Sequence, residues 1–171
     1  GQGNNILTRY ADDFILLCNG PRAEAERLRD EVRQFLRDEL HLELNVEKTH
    51  ITHVTDGFDF LGFHIQWMLP RDNKPWLRVT PSKKNMQKLR RTIKRMTDRR
   101  SCNSTPEQKL KAVNGVLRGW INYYRRVSFK RIAGKLDWWV TDRFYRWLKK
   151  KHKVGARRIM KQYYVQESTG R

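Results

Sequence analysis

Apolar residues arrive in short bursts along the first half of the chain and at helical spacing along the second. Ile6 and Leu7 precede a polar interruption at Tyr10-Ala11-Asp12-Asp13, and Phe14 to Leu17 follow it. Two β-rich runs around so short a break predict a strand–turn–strand hairpin. Asn19-Gly20-Pro21 stops the second strand, and Pro21 suits the first position of a helix. Leu28, Val32, Phe35, Leu36 and Leu40 then recur at helical spacing opposite an Arg/Glu-rich face. They predict an amphipathic helix of roughly 18 residues lying on a sheet. A turn at Asn45 to Lys48 leads into alternation at Ile51 and Val54, and Thr55-Asp56-Gly57 reads as a turn with positive φ at Gly57. Phe58, Phe60, Leu61, Phe63 and Ile65 read as one strand with Gly62 inside it, where glycine marks a bulge or a close backbone approach. Pro70 to Pro75 reads as a loop and Trp76 to Val79 as a last short strand.

From Thr80 the period turns helical and stays so. Met86, Leu89, Ile93 and Met96 form one stripe, with Lys and Arg on the remaining faces. After a loop at Ser101 to Thr105, Thr105-Pro106-Glu107-Gln108 carries the full signature of a helix start: a capping Thr, Pro at the first position, and Gln to close a capping box. Leu110, Val113, Leu117, Ile121 and Tyr124 continue that helix. Ser128 is placed to cap a third, with Ile132, Leu136, Trp139, Val140, Trp147 and Leu148 inward. The tail from Val154 reads as basic and less regular. The fold class is α+β, with strands and one helix in residues 1–79 and an all-α three-helix bundle in 80–171.

Charge divides the chain at nearly the same place. Residues 1–66 hold 7 Lys/Arg against 12 Asp/Glu, and residues 67–171 hold 30 against 6, so nets of −5 and +24 make up the total of +19. A solvated surface has no use for so strong an excess, and the second part is expected to bind a polyanion. Cys18 and Cys102 form no disulfide or zinc pattern, and the histidines show no metal-ligand spacing. No apolar run reaches the roughly 18 residues of a membrane helix, and the start has no signal-peptide pattern. A reducing compartment containing nucleic acid is expected, and no membrane partner.

A tight hairpin normally wants Gly or Asn, yet Ala11, Asp12 and Asp13 stand here instead. Adjacent carboxylates make a hard, oxygen-rich site suited to Mg²⁺, the ion pair of which serves in-line phosphoryl transfer in polymerases and nucleases. The hairpin begins within ten residues of the first position, and a lone hairpin is marginal in water. Its sheet therefore has to be completed by later strands or by chain outside this sequence, and a fragment of a longer protein is expected.

The order YADD, helix, Leu44-Asn45-Val46-Glu47-Lys48-Thr49-His50-Ile51, Phe58-Asp59-Phe60-Leu61-Gly62-Phe63, then basic helices resembles a reverse transcriptase. It is most similar to the group II intron-encoded reverse transcriptase/maturases, through the stretch from Pro81 to Met96 and the later Gly119 to Val127. The resemblance implies the C-terminal half of a polymerase palm (residues 1–79) followed by a thumb/maturase domain, domain X (residues 80–171). It implies that Asp12 and Asp13 are the catalytic, metal-binding aspartates and that Lys48 donates a proton to leaving pyrophosphate. Tyr10 and Ala11 would sit beside the nucleotide or primer end, and Phe60, Leu61, Gly62 and Phe63 would be the primer grip. Lys83, Lys84, Lys88, Arg90, Arg91, Lys94, Arg95, Arg125, Arg126, Lys130 and Arg131 would bind RNA and primer–template.

The implied function is RNA-directed DNA polymerisation with Mg²⁺, joined to intron splicing, with intron RNA, an RNA template, a DNA primer and dNTP as partners. A cytoplasmic bacterial ribonucleoprotein is the expected setting, with an organellar host left open. The family's third carboxylate lies on a strand upstream of the residues present, so the chain alone is expected to be inactive. Two alternatives stay open: a non-catalytic RNA-binding piece, and a reverse transcriptase of retron or diversity-generating type.

Overall fold

The computed structural model describes residues 5–69, 74–101, 103–127 and 130–164. Cys102, Ser128 with its capping role, and residues 70–73 of the predicted loop lie outside them. The fold is mixed α and β, consistent with the α+β reading, and divides into two compact units, Gly1–His53 and Val54–Arg171.

In the first unit, β1 (Ile6–Tyr10) pairs antiparallel with β2 (Asp13–Leu17), followed by α1 (Arg22–Leu40). The hairpin is a two-stranded sheet of its own, so the later strands do not complete it. The predicted helix is present, with Pro21 just ahead of it as N-cap. Its apolar stripe is not buried, however: Phe35 and Leu40 are exposed, and no described residue of this unit is buried. Residues 42–54 form no strand, contrary to the alternation at Ile51 and Val54. The expected turn at Asn45 does form, because the Asn45 side chain and carbonyl both accept from the Lys48 amide.

The second unit begins with a three-stranded antiparallel sheet in the order β3 (Phe58–Phe60), β4 (Phe63–Met68), β5 (Trp76–Pro81). Gly57 has the positive φ expected of it (81°). The predicted single strand through Gly62 is instead two strands joined at Leu61–Gly62. Phe60 pairs with Phe63, and both turn residues have positive φ (48° and 83°), the requirement of a type I′ hairpin. Alternation divides the sheet into an apolar set (Phe58, Phe60, Phe63, Ile65, Val79) and a polar one (Asp59, His64, Gln66, Arg78, Thr80). On the polar face His64 Nδ1 lies 2.7 Å from Asp59 Oδ1, and Arg78 bonds Gln66.

Helices α2 (Lys83–Met96), α3 (Pro106–Tyr124) and α4 (Lys130–His152) follow. Ser82 caps α2, and the Thr105/Gln108 capping box on α3 is complete in both directions. Leu89, Ile93 and Leu136 form the core that joins the three helices, with Leu117, Trp120, Trp139 and Val140 packed on it. Arg143 crosses from α4 to the end of α2, donating to Thr97 Oγ1 (3.0 Å) and the Lys94 carbonyl (3.3 Å). The Thr97 hydroxyl also donates to the Ile93 carbonyl (2.8 Å), so Arg143 adds to a helix end that is already capped. The tail is more regular than its composition implied: α5 (Ala156–Tyr163) buries Ile159 against Trp147 and Leu148 in a second core.

A side chain at position 62 would collide with Asn85 Nδ2 as well as adopt a positive φ. Gly62→Ala is therefore expected to destabilise the second unit by about 2–3 kcal/mol, from the left-handed backbone cost plus a displaced hydrogen bond. Denaturant titration checks this, and an unchanged midpoint would contradict it.

Candidate functional site

The carboxylate turn is built by β1 and β2. Tyr10 pairs with Asp13, which leaves Ala11 and Asp12 as the two-residue connection. Ala11 has φ 51°, a left-handed conformation that costs a non-glycine residue about 1–2 kcal/mol. Arg9 Nε donates to the Ala11 carbonyl (2.8 Å) and braces the turn from the strand side. Tyr10, Asp12 and Asp13 are all exposed, so both carboxylates are open to a ligand. Strain of this kind collects at functional turns, and the residue here is not the one that would relax it.

Two adjacent carboxylates suit a hard divalent cation but supply only part of its oxygen shell. Among the described residues, no group of three or more His, Cys, Asp or Glu side chains is placed to hold a metal ion. Asp12 and Asp13 thus fit Mg²⁺ in chemistry and are incomplete in number. Lys48 is exposed on its own Asn45 turn in the same unit.

The Phe60–Phe63 hairpin lies in the second unit and is held there by side chains that sequence reasoning did not single out for this task. Tyr123 Oη donates to the Leu61 carbonyl (2.7 Å), and Tyr124 Oη donates to the Gly62 carbonyl (2.9 Å). Asn85 Nδ2 donates to Tyr124 Oη (2.8 Å). The Phe63 ring stacks on Tyr123, with centroids 5.2 Å apart, and meets Tyr124 edge-on at 5.0 Å. Gly62 does permit a close approach, and the group that approaches is Asn85 of the same unit. Tyr124, in the apolar stripe of its helix, is 1% exposed and its hydroxyl is directed to the hairpin. Burial holds its phenol above the usual range, the bond from Asn85 acting the other way.

The cations read as RNA-binding are exposed wherever their side chains are described. Lys83, Lys84, Lys88, Arg90, Arg91, Lys94 and Arg95 are all exposed on α2, a helix with no acidic residue. Arg91, Lys94, Arg95 and Arg100 line a concavity at its end. Arg125 and Arg126 are exposed just after α3. Lys130 and Arg131 open α4, and their side chains lie outside the described residues. Of the tryptophans, Trp147 is core, Trp120 and Trp139 pack on core, and Trp138 is 71% exposed.

Two family models match the chain in series. The one described as reverse transcriptase (RNA-dependent DNA polymerase) covers residues 2–65, and the one described as group II intron, maturase-specific domain covers residues 86–164. The chain belongs to the group II intron reverse transcriptase/maturase family. Among relatives of this family member, Protein YkfC of Escherichia coli (strain K12) is 51% identical over 57 residues, 33% of this chain and 15% of that protein. Group II intron-encoded protein LtrA of Lactococcus lactis subsp. cremoris is 37% identical over 67 residues, 38% of this chain and 11% of LtrA. A putative COX1/OXI3 intron 2 protein of Saccharomyces cerevisiae is 29% identical over 70 residues, 41% of this chain and 8% of that protein. The matches span only a small part of the length of these relatives.

Two outcomes follow from this geometry. Replacing Arg91, Lys94 and Arg95 by Gln is expected to make the log–log salt dependence of RNA binding shallower by about 2 to 3, measured by titration at several salt concentrations. The Tyr124 phenol has a folded-state pKa above its unfolded value of about 10. Its contribution to stability is complete below that pH and lost as pH rises through the folded-state value. Thermal melts at alkaline pH are expected to show a fall that Tyr124→Phe reduces.

Proposed function

We propose that this chain carries the metal-binding turn, the primer-side hairpin and the RNA-binding helices of an RNA-directed DNA polymerase that also serves as an intron splicing maturase. The observation that carries the reading is the juxtaposition along one chain of a strained, exposed double-carboxylate turn within the reverse transcriptase match and an acid-free cationic helix that runs into the maturase match. Residues 1–79 would serve as the palm part and 80–171 as the thumb and maturase domain. This functional division differs from the compact units, because strands β3 to β5 fold with the helices.

In this reading Asp12 and Asp13 hold Mg²⁺, which when bound supplies charge stabilisation for phosphoryl transfer. Tyr10 and Ala11 flank the reacting end, Ala11 leaving room where a larger side chain would intrude. Lys48 supplies a proton toward the leaving pyrophosphate. Phe60 to Phe63 hold the primer end. The cations of α2, with Arg125, Arg126, Lys130 and Arg131, contact phosphates, which fixes position without reading sequence. Intron RNA, an RNA template with its DNA primer, and dNTP are the partners. A cytoplasmic ribonucleoprotein is the proposed setting, and no helix among the described residues is long and apolar enough to cross a membrane.

One observation favours a narrower role for these 171 residues by themselves: no third acidic group joins Asp12 and Asp13 among the described residues. Alone, the chain would bind RNA and extend no primer. Primer extension run beside RNA titration separates the readings. The expected result is salt-sensitive RNA binding without extension, while Asp12→Asn in a longer reverse transcriptase containing this chain lowers extension by about 10²- to 10³-fold and leaves RNA binding within twofold. Extension by the 171 residues, lost in Asp12→Asn, would overturn the narrower role. Undiminished extension in the longer protein would overturn the assignment of Asp12.

A further inference from the structure

The hairpin tip, the start of α2 and the end of α3 are closed into one hydrogen-bonded circuit. The Gly62 carbonyl accepts twice, from the Ser82 amide (2.8 Å) and from Tyr124 Oη (2.9 Å). Tyr124 Oη in turn accepts from Asn85 Nδ2 (2.8 Å), and the Asn85 amide donates to Ser82 Oγ (3.3 Å). The tyrosine hydroxyl has one proton to give and uses it on Gly62; Asn85 fills its acceptor side. Beside this circuit the Leu61 carbonyl is taken by Tyr123. Both carbonyls of the hairpin tip are therefore committed to the helical layer.

We infer that Tyr124 and Asn85 are positioning residues, which fix the Phe60–Phe63 hairpin on the helices so that the hairpin and the cations of α2 meet a primer–template as one rigid body. The inference rests on the reading of that hairpin as the primer grip. Three observations support it beyond ordinary packing. Phenylalanine at 124 would fill the same ring space, yet it would leave a Gly62 lone pair and an Asn85 amide hydrogen without partners at a buried junction. The contact is possible only because position 62 lacks a side chain, so turn and relay are matched to each other. The relay also meets α2 at its first turn, where Lys83 and Lys84 immediately precede Asn85. A shift of the tip relative to Asn85 would be a shift relative to those two cations.

The test uses the 171-residue chain, with amide hydrogen exchange at residues 61–63 and anisotropy titration of two probes. One probe is an RNA/DNA duplex with a recessed primer end, and the other is a closed RNA hairpin. Tyr124→Phe is expected to speed exchange at residues 61–63 at least tenfold, with amides of α3 and α4 changing less than twofold. It should weaken binding of the recessed duplex about fivefold to tenfold and binding of the RNA hairpin less than twofold. Leu61→Asn, which tolerates the positive φ, should leave exchange at the tip unchanged and weaken the recessed duplex alone. Asn85→Leu, similar in shape, breaks the same relay and is read in the same way should Tyr124→Phe fail to fold. Tip exchange within twofold of the parent chain, or faster exchange throughout the unit, overturns the positioning role whatever the duplex affinity does. Faster tip exchange with recessed-duplex affinity unchanged in both Tyr124→Phe and Leu61→Asn overturns the primer-grip reading, and the inference falls with it.

Discussion

The second unit depends on one carbonyl and one missing side chain. Gly62 sits where a tight hairpin, a helix N-cap and the last turn of another helix converge, and its oxygen serves the latter two. Any Cβ there would fall on Asn85. A three-stranded sheet with short strands has little stability alone. Here it gains a side wall of aromatic rings, Phe63 against Tyr123 and Tyr124, and Tyr124 against Trp120, which packs on the helical core. The chain of contact from hairpin tip to the Leu89–Ile93–Leu136 core is therefore continuous. The same hydrophobic effect that closes the bundle orients the hairpin.

The two units contrast in how their apolar residues are used. The second has two cores along α4, one shared with α2 and α3 and one with α5. Arg143 adds a polar tie to the end of α2. In the first unit the hairpin and α1 expose Ile6, Leu7, Phe35 and Leu40, and the strained turn at Ala11 is braced by a single arginine bond. A local cost and a thin local support accompany the residues with the strongest claim to chemistry.

Much of this was legible where the determinants are local. The carboxylate hairpin, the Gly57 turn, the Asn45 turn and the capping box of α3 follow from residues close together in the sequence. Helical periodicity named Leu89, Ile93, Val113, Leu136, Trp147 and Leu148 as inward, and all are buried, whereas Leu110 and Ile121 of the same α3 stripe are exposed. What escaped was set by distant partners. Leu61-Gly62 reads as strand because leucine seldom takes a positive φ; Tyr123, 62 residues away, helps hold it there. The short helix α5 carries a single fully buried apolar residue, too little to mark a period. Adjacent Trp138 and Trp139 could not both face the core, and only the packing decides which one does. The carboxylates, Lys48 and the cationic helix were visible as candidates, whereas the tyrosine relay was not, because adjacent tyrosines on a helix look alike until the hairpin is placed against them.

The composition of α2 has a thermodynamic consequence. Its first turn carries Lys83 and Lys84 at the positive end of the helix dipole, and no acid offsets the cations along its length. Mutual repulsion thus acts against the helix that the core needs. Added electrolyte screens that repulsion and favours the native fold. The same electrolyte competes for phosphate and weakens the hold on RNA. Conformational stability and affinity therefore respond to ionic strength with opposite sign, and a bound polyanion, by replacing the screening ions, is itself a stabiliser of the fold.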